Sequence, residues 1–125
     1  MGDAGAGKTS ILWRYIKNEE PRDQIVTTID FRSKDIVIQD RKVKLCIWDT
    51  AGQEKFRSIV GTYFKSCQGV VLVFDMSIPK SWESIKNVWY EMAIKRAPTA
   101  CFILLGAKKD LEVAVDLSDI NQWCA

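Results

Sequence analysis

Met1-Gly2-Asp3-Ala4-Gly5-Ala6-Gly7-Lys8-Thr9-Ser10 carries the spacing G-x-x-x-x-G-K-[ST] between Gly2 and Thr9. Glycine opens backbone conformations closed to other residues, so consecutive N–H groups can turn toward one anion. Lys8 adds a positive charge on a long stem, and Thr9 adds a hydroxyl suited to a hard cation such as Mg²⁺. The stretch reads as a phosphate-binding loop for the β and γ phosphates of a nucleoside triphosphate. Such a loop normally follows a buried strand, whereas here only Met1 stands before it.

The remainder of the chain limits what can accompany that loop. It has 125 residues, 47% hydrophobic and 27% charged, which suits one globular domain and argues against disorder. Eighteen basic and sixteen acidic side chains leave a formal charge of +2. They form no like-charged block of the kind that marks a nucleic-acid or membrane surface. No apolar run approaches the roughly 20 residues needed to span a bilayer. Cys46, Cys67, Cys101 and Cys124 show no C-x-x-C pairing and lie mostly within or beside apolar runs, which reads as buried, reduced thiols in a reducing, intracellular setting. The sequence contains no histidine, which excludes Ser-His-Asp and Cys-His catalysis. Any chemistry must run on carboxylates, amides, hydroxyls and a metal.

Beyond the loop, Ile11, Leu12, Tyr15 and Ile16 recur at helical spacing up to Pro21, which cannot continue a helix. A first helix therefore begins at the phosphates, where its N-terminal dipole favours anions. Residues 21–28 are polar and aperiodic and read as an exposed loop. Residues 29–38 and 43–49 are β-rich runs joined by Gln39-Asp40-Arg41-Lys42, which predicts an antiparallel hairpin. Its second strand ends in Asp49-Thr50-Ala51-Gly52-Gln53-Glu54, and carboxyl ends of strands are where α/β sheets place ligands. Residues 54–67 predict an irregular helix, and Gly69 to Asp75 a buried parallel strand. Trp82, Ile85, Trp89, Met92 and Ala93 make one face of a helix that starts near Pro79. Cys101 to Gly106 predicts another buried strand, and Asp116 caps a last short helix. Strands alternating with helices indicate an α/β, doubly wound sheet with helices on both faces.

Mg²⁺ keeps several waters and takes one or two protein oxygens besides phosphate oxygens. Thr9 and Asp49 are the natural protein donors. Gly52 allows close backbone approach to a γ-phosphate. Gln53 can both donate to and accept from a water, which suits it to orient a nucleophile without acting as a strong base.

Taken jointly, Gly2 to Ser10, Trp48-Asp49-Thr50-Ala51-Gly52-Gln53-Glu54-Lys55-Phe56-Arg57, Val70 to Asp75 and Lys108-Lys109-Asp110 resemble the Ras-superfamily small GTPases. Ile29-Asp30-Phe31 and the segment Lys44 to Trp48 are most similar to the Rab-type branch. The resemblance covers essentially the whole chain and implies a P-loop NTPase (Ras-like) fold in one GTPase domain over residues 1–125. It implies contacts from Asp3, Ala4, Gly5, Ala6, Gly7, Lys8, Thr9, Ser10, Gly52, Lys108 and Asp110 to a guanine nucleotide, GTP or GDP. It places Mg²⁺ on Thr9, Asp49 and a first-switch threonine, for which Thr27 is favoured and Thr28 competes. It assigns catalysis of GTP hydrolysis to Gln53 and Lys8, with Gln53 orienting water. Effectors, exchange factors and GTPase-activating proteins would bind switch loops at about 22–31 and 50–65, nucleic acid would not, and the membrane would be reached only through a prenylated tail. The setting implied is cytoplasmic, on the cytosolic face of endomembranes, and the role a switch in vesicle traffic or signalling.

The chain departs from the family pattern in four ways. Ala107 replaces the asparagine of Asn-Lys-x-Asp, and the first switch is one residue shorter. The strand before the phosphate loop and the final strand and helix are absent, so an incomplete domain is expected. The contrasting expectation is a degenerate interaction module with weak or no hydrolysis.

Overall fold

A computed structural model describes residues 1–19, 30–50 and 64–125. The readings on Thr27, Thr28, Gly52 and Gln53, and most of the irregular helix foreseen at 54–67, lie outside the described residues. Of that helix the described part is one 3₁₀ turn, Phe64–Ser66.

Helix α1, Lys8–Lys17, starts directly from Gly7, whose φ of 99° suits glycine and turns the loop into the helix. Asn18 ends it in the left-handed conformation, its N–H donating to the Arg14 carbonyl, while Lys34 Nζ donates to the Tyr15 carbonyl at 2.6 Å. Strands β1, Asp30–Ile38, and β2, Arg41–Asp49, form the antiparallel hairpin. Its turn is shorter than the four residues foreseen. Gln39 and Asp40 both take positive φ, 48° and 61°, so two residues suffice and Arg41 and Lys42 join the ladder opposite Ile38 and Val37.

Strands β3, Gly69–Asp75, and β4, Cys101–Ala107, pair in parallel. Between them in sequence runs helix α2, made of Pro79–Ser84, a π turn at Ile85–Trp89, and Tyr90–Arg96. Its buried stripe of Trp82, Ile85, Trp89, Ala93 and Ala97 packs on Val70, Leu72 and Phe74 of β3 to form the core, with Phe64 and Val115 at its margins. Helix α3, Leu117–Cys124, is capped by Asp116, whose carboxylate accepts the N–H groups of Ser118 and Asp119. It docks on α2 through the Asp119 carboxylate, which accepts from Trp82 Nε1 at 2.6 Å and Lys86 Nζ at 2.9 Å. Trp123 packs in T-shaped contacts with Trp82 and Tyr90.

The class is the mixed α/β arrangement foreseen, but among the described residues the sheet comes as two separate pairs, β1-β2 and β3-β4. Met1 occupies the flank of β3. Its ammonium donates to the Val71 carbonyl and its carbonyl accepts the Val73 N–H, the pattern of a parallel bridge opposite Leu72. The phosphate loop thus leaves directly from a strand position. Gly2 sits so close to β3 that a Cβ on it would lie 1.9 Å from the Val73 carbonyl oxygen, so only glycine fits. Helix α2 covers one face of β3-β4, while Val71 and Ile103 on the other are 41% and 58% exposed.

The cysteine reading is corrected. Cys46, Cys101 and Cys124 are exposed free thiols and Cys67 is half-buried. An apolar neighbourhood in sequence does not bury a strand residue, because alternation turns Cys46 and Cys101 outward. No helix among the described residues is long and apolar enough to cross a membrane.

Candidate functional site

The loop from Gly2 to Gly7 forms one wall of a cleft. Asp3, Ala4, Gly5 and Ala6 face Asp75, Ile78, Lys80, Ser81 and Lys108 across it. The Ala6 N–H donates to the Asp3 carbonyl at 3.2 Å, drawing the loop into a tight turn. Lys8 Nζ reaches back to the carbonyls of Gly2 and Asp3 at 2.8 and 2.6 Å, so the ammonium is held over the loop.

Thr9 lies in the first turn of α1 and Asp49 ends β2, and their separation in sequence disappears in the fold. The Thr9 hydroxyl donates to Asp49 Oδ2 at 2.7 Å, and Asp49 is only 5% exposed. A hydroxyl and a carboxylate in contact beside the phosphate loop are hard oxygen donors, the set Mg²⁺ takes alongside phosphate and water. Among the described residues there is no cluster of three or more acidic, Cys or His side chains that could hold a metal without a ligand's help. The donor set therefore fits an ion brought in with phosphate oxygens.

Asp75 at the carboxyl end of β3 anchors the opposite wall. The parallel register sets Asp75 against Ala107, which brings Lys108 within reach, and Lys108 Nζ meets Asp75 Oδ2 at 2.7 Å. Lys108 takes φ 61° to do so. Asp75 Oδ1 also accepts from the Ser77 N–H and hydroxyl at 2.9 and 2.6 Å. Burial alone would raise the Asp75 carboxyl, but the hydrogen bonds from Lys108 and Ser77 outweigh it and hold it below the usual carboxylate range. Asp75 is not among the residues expected at the site, although its place at a strand's carboxyl end is a signal legible in the sequence.

The segment bearing Lys108 abuts the phosphate loop, since a Cβ placed on Gly7 would stand 3.5 Å from that of Ala107. Asp110 lies exposed two residues beyond Lys108, in a turn where the Leu111 N–H donates to the Lys108 carbonyl. Ser10 is exposed on α1. The Asp3 carboxylate accepts from Trp89 Nε1 at 2.7 Å, a contact across 86 residues that no local pattern announces.

The family model described as "Ras family" matches residues 1–124. "Ras-related protein Rab-7a" of Paramecium octaurelia is 39% identical over 132 residues, covering 99% of this chain and 64% of that protein. "Ras-related protein SEC4" of Saccharomyces cerevisiae is 37% identical over 127 residues, covering 100% and 59%. "Ras-related protein RABG1" of Arabidopsis thaliana is 40% identical over 138 residues, covering 99% and 65%. The chain thus spans roughly three-fifths of the length of these relatives. With the phosphate loop, the Thr9–Asp49 contact and the Lys108 segment gathered at one cleft, and its relatives of the Rab type, the chain belongs to the Ras family.

Proposed function

We propose that this chain is a single, incomplete GTPase domain whose cleft binds GTP and GDP with Mg²⁺ and hydrolyses GTP to GDP and phosphate. In this reading it is a switch in intracellular vesicle traffic or signalling. The observation that carries it is the 2.7 Å contact between Thr9 and Asp49 beside the Gly2–Lys8 loop. A phosphate chain entering the cleft would take up the N–H groups of residues 3–10 and draw Lys8 from the loop carbonyls to the anion. Thr9 and Asp49 would hold Mg²⁺, with Thr27 or Thr28 joining them. When bound, the ion neutralises charge on the phosphate oxygens. Gly52 would donate to the terminal phosphate, and Gln53 would orient the attacking water. On the opposite wall, Lys108 would brace the base and the Asp110 carboxylate would select guanine, whose N1 and exocyclic amine both donate.

Partner proteins would read the segments at about 22–31 and 50–65. Phe31 and Trp48, 47% and 44% exposed with ring centroids 4.7 Å apart, offer an aromatic surface at the border of the first. Nucleic acid has no place in this reading. Localisation follows as cytoplasmic, with the cytosolic face of endomembranes reached through a prenylated tail outside these residues.

Ala107 supports a second reading, a protein-interaction module that binds nucleotide weakly and does not turn it over. Titration with fluorescent GDP, GTP and ATP, with and without Mg²⁺, followed by single-turnover hydrolysis separates the two. The switch reading expects Mg²⁺-dependent binding of both guanine nucleotides, little ATP binding, and hydrolysis that Gln53→Leu slows by on the order of tenfold or more without loss of binding. Binding without turnover would establish the module instead.

A further inference from the structure

Asp3 is the only acidic residue from Met1 to Ser10. A carboxylate in an anion cradle opposes what the cradle does, because like charges repel over several ångströms in a partly buried cleft. In this fold that carboxylate is held elsewhere. Asp3 Oδ1 accepts from Trp89 Nε1 at 2.7 Å, while the Asp3 carbonyl accepts from Lys8 Nζ and the Ala6 N–H.

Trp89 is suited to do the holding. The residue is 6% exposed, with Ile85 and Ala93, both 0% exposed, one turn away on either side along α2. Packing therefore sets the ring, and the carboxylate must come to it. The indole N–H is the only polar group on the side chain and needs a partner when buried. Trp89 also closes the π turn at Ile85–Trp89, a widened turn of a kind that recurs in functional segments of helices.

We propose that Trp89 is a positioning residue of the phosphate loop. Its indole N–H seats the Asp3 carboxylate against α2, so the loop offers backbone N–H groups rather than a negative side chain to bound phosphates. This rests on the nucleotide reading of the cleft.

Affinities for GTP, GDP and GMP are measured by displacement of fluorescent GDP from the 125-residue chain carrying Trp89→Phe, Asp3→Asn or both. Trp89→Phe keeps the ring and removes the donor, and it should weaken GTP binding about tenfold, GDP less and GMP least. Asp3→Asn keeps an acceptor and removes the charge, and it serves as the background in which the Trp89→Phe loss is read again. In the Asp3→Asn background the Trp89→Phe loss should shrink to within about twofold, because the charge it would release is gone. Asp3→Glu leaves Trp89 untouched but offers a carboxylate too long for the seat, and it should mimic Trp89→Phe. That variant decides the matter where Trp89→Phe does not fold. Equal losses for all three nucleotides or equal losses in both backgrounds would each overturn the proposal while leaving the nucleotide reading standing. A wild-type chain that binds none of the nucleotides would overturn both.

Discussion

At the scale of single residues, the site rests on a few contacts whose partners are far apart in the chain. Asp49 is buried at the end of β2 and already accepts from Thr9, so a cation drawn to this pair would displace that hydrogen bond. Asp49→Ala should weaken nucleotide binding in the presence of Mg²⁺ by about 10- to 100-fold and change it little with the metal chelated. Paired titrations with and without a chelator give that comparison. Ala107 sits against Gly7, at the point where the two walls of the cleft meet. Ala107→Asn would add a side-chain amide there able to bond the base edge or the loop, and GDP should bind about tenfold more tightly. Isothermal titration of the two chains is the measurement, and no gain would mean the amide does not reach its partner.

Each element was foreseen from local patterns, and the differences concern edges, irregularities and burial: β4 was expected as a buried strand, yet none of its residues from Cys101 to Ala107 is fully buried. The hairpin closes on Gln39 and Asp40, both in the left-handed region, which Gly, Asn and Asp tolerate far better than glutamine does. Gln39→Asn with Asp40→Gly matches the residues such a turn prefers, and should stabilise the chain by about 1 kcal/mol. A thermal melt of the double variant against wild type tests this, an unchanged midpoint counting against it. Helix α2 shows the limit of periodicity in another way. Trp82, Ile85, Trp89 and Ala93 are spaced as any amphipathic helix would space them, so the stripe foretells burial without foretelling the π turn from Ile85 to Trp89. The outward turn of Cys46 and Cys101 makes the same point for strands. An apolar run marks a strand, but which side of the pleat is covered depends on what packs there.

On the scale of the whole molecule, the hairpin reaches the phosphate-loop region through Thr9 and Asp49, and β3 reaches it through Met1 and Gly2. Burial alone would raise the Asp75 carboxyl, but Lys108 and Ser77 hold it below its usual range. A group whose folded pKa is depressed favours the fold above its unfolded pKa, and that stability is lost as pH falls through the folded value. The chain should therefore lose stability below about pH 4 as Asp75 takes up a proton. Urea unfolding across this range checks the loss. What the sequence by itself determined is local. The G-x-x-x-x-G-K-[ST] spacing, the order of strands and helices, the cap at Asp116 and the place of Asp49 at a strand's end follow from backbone geometry and nearest-neighbour hydrogen bonding. Tertiary structure alone decided the contacts Thr9–Asp49, Lys108–Asp75 and Trp89–Asp3, spanning 40, 33 and 86 residues. Such pairs form only when strand register and helix packing bring their backbones together, and no residue pattern within a single element encodes that distance.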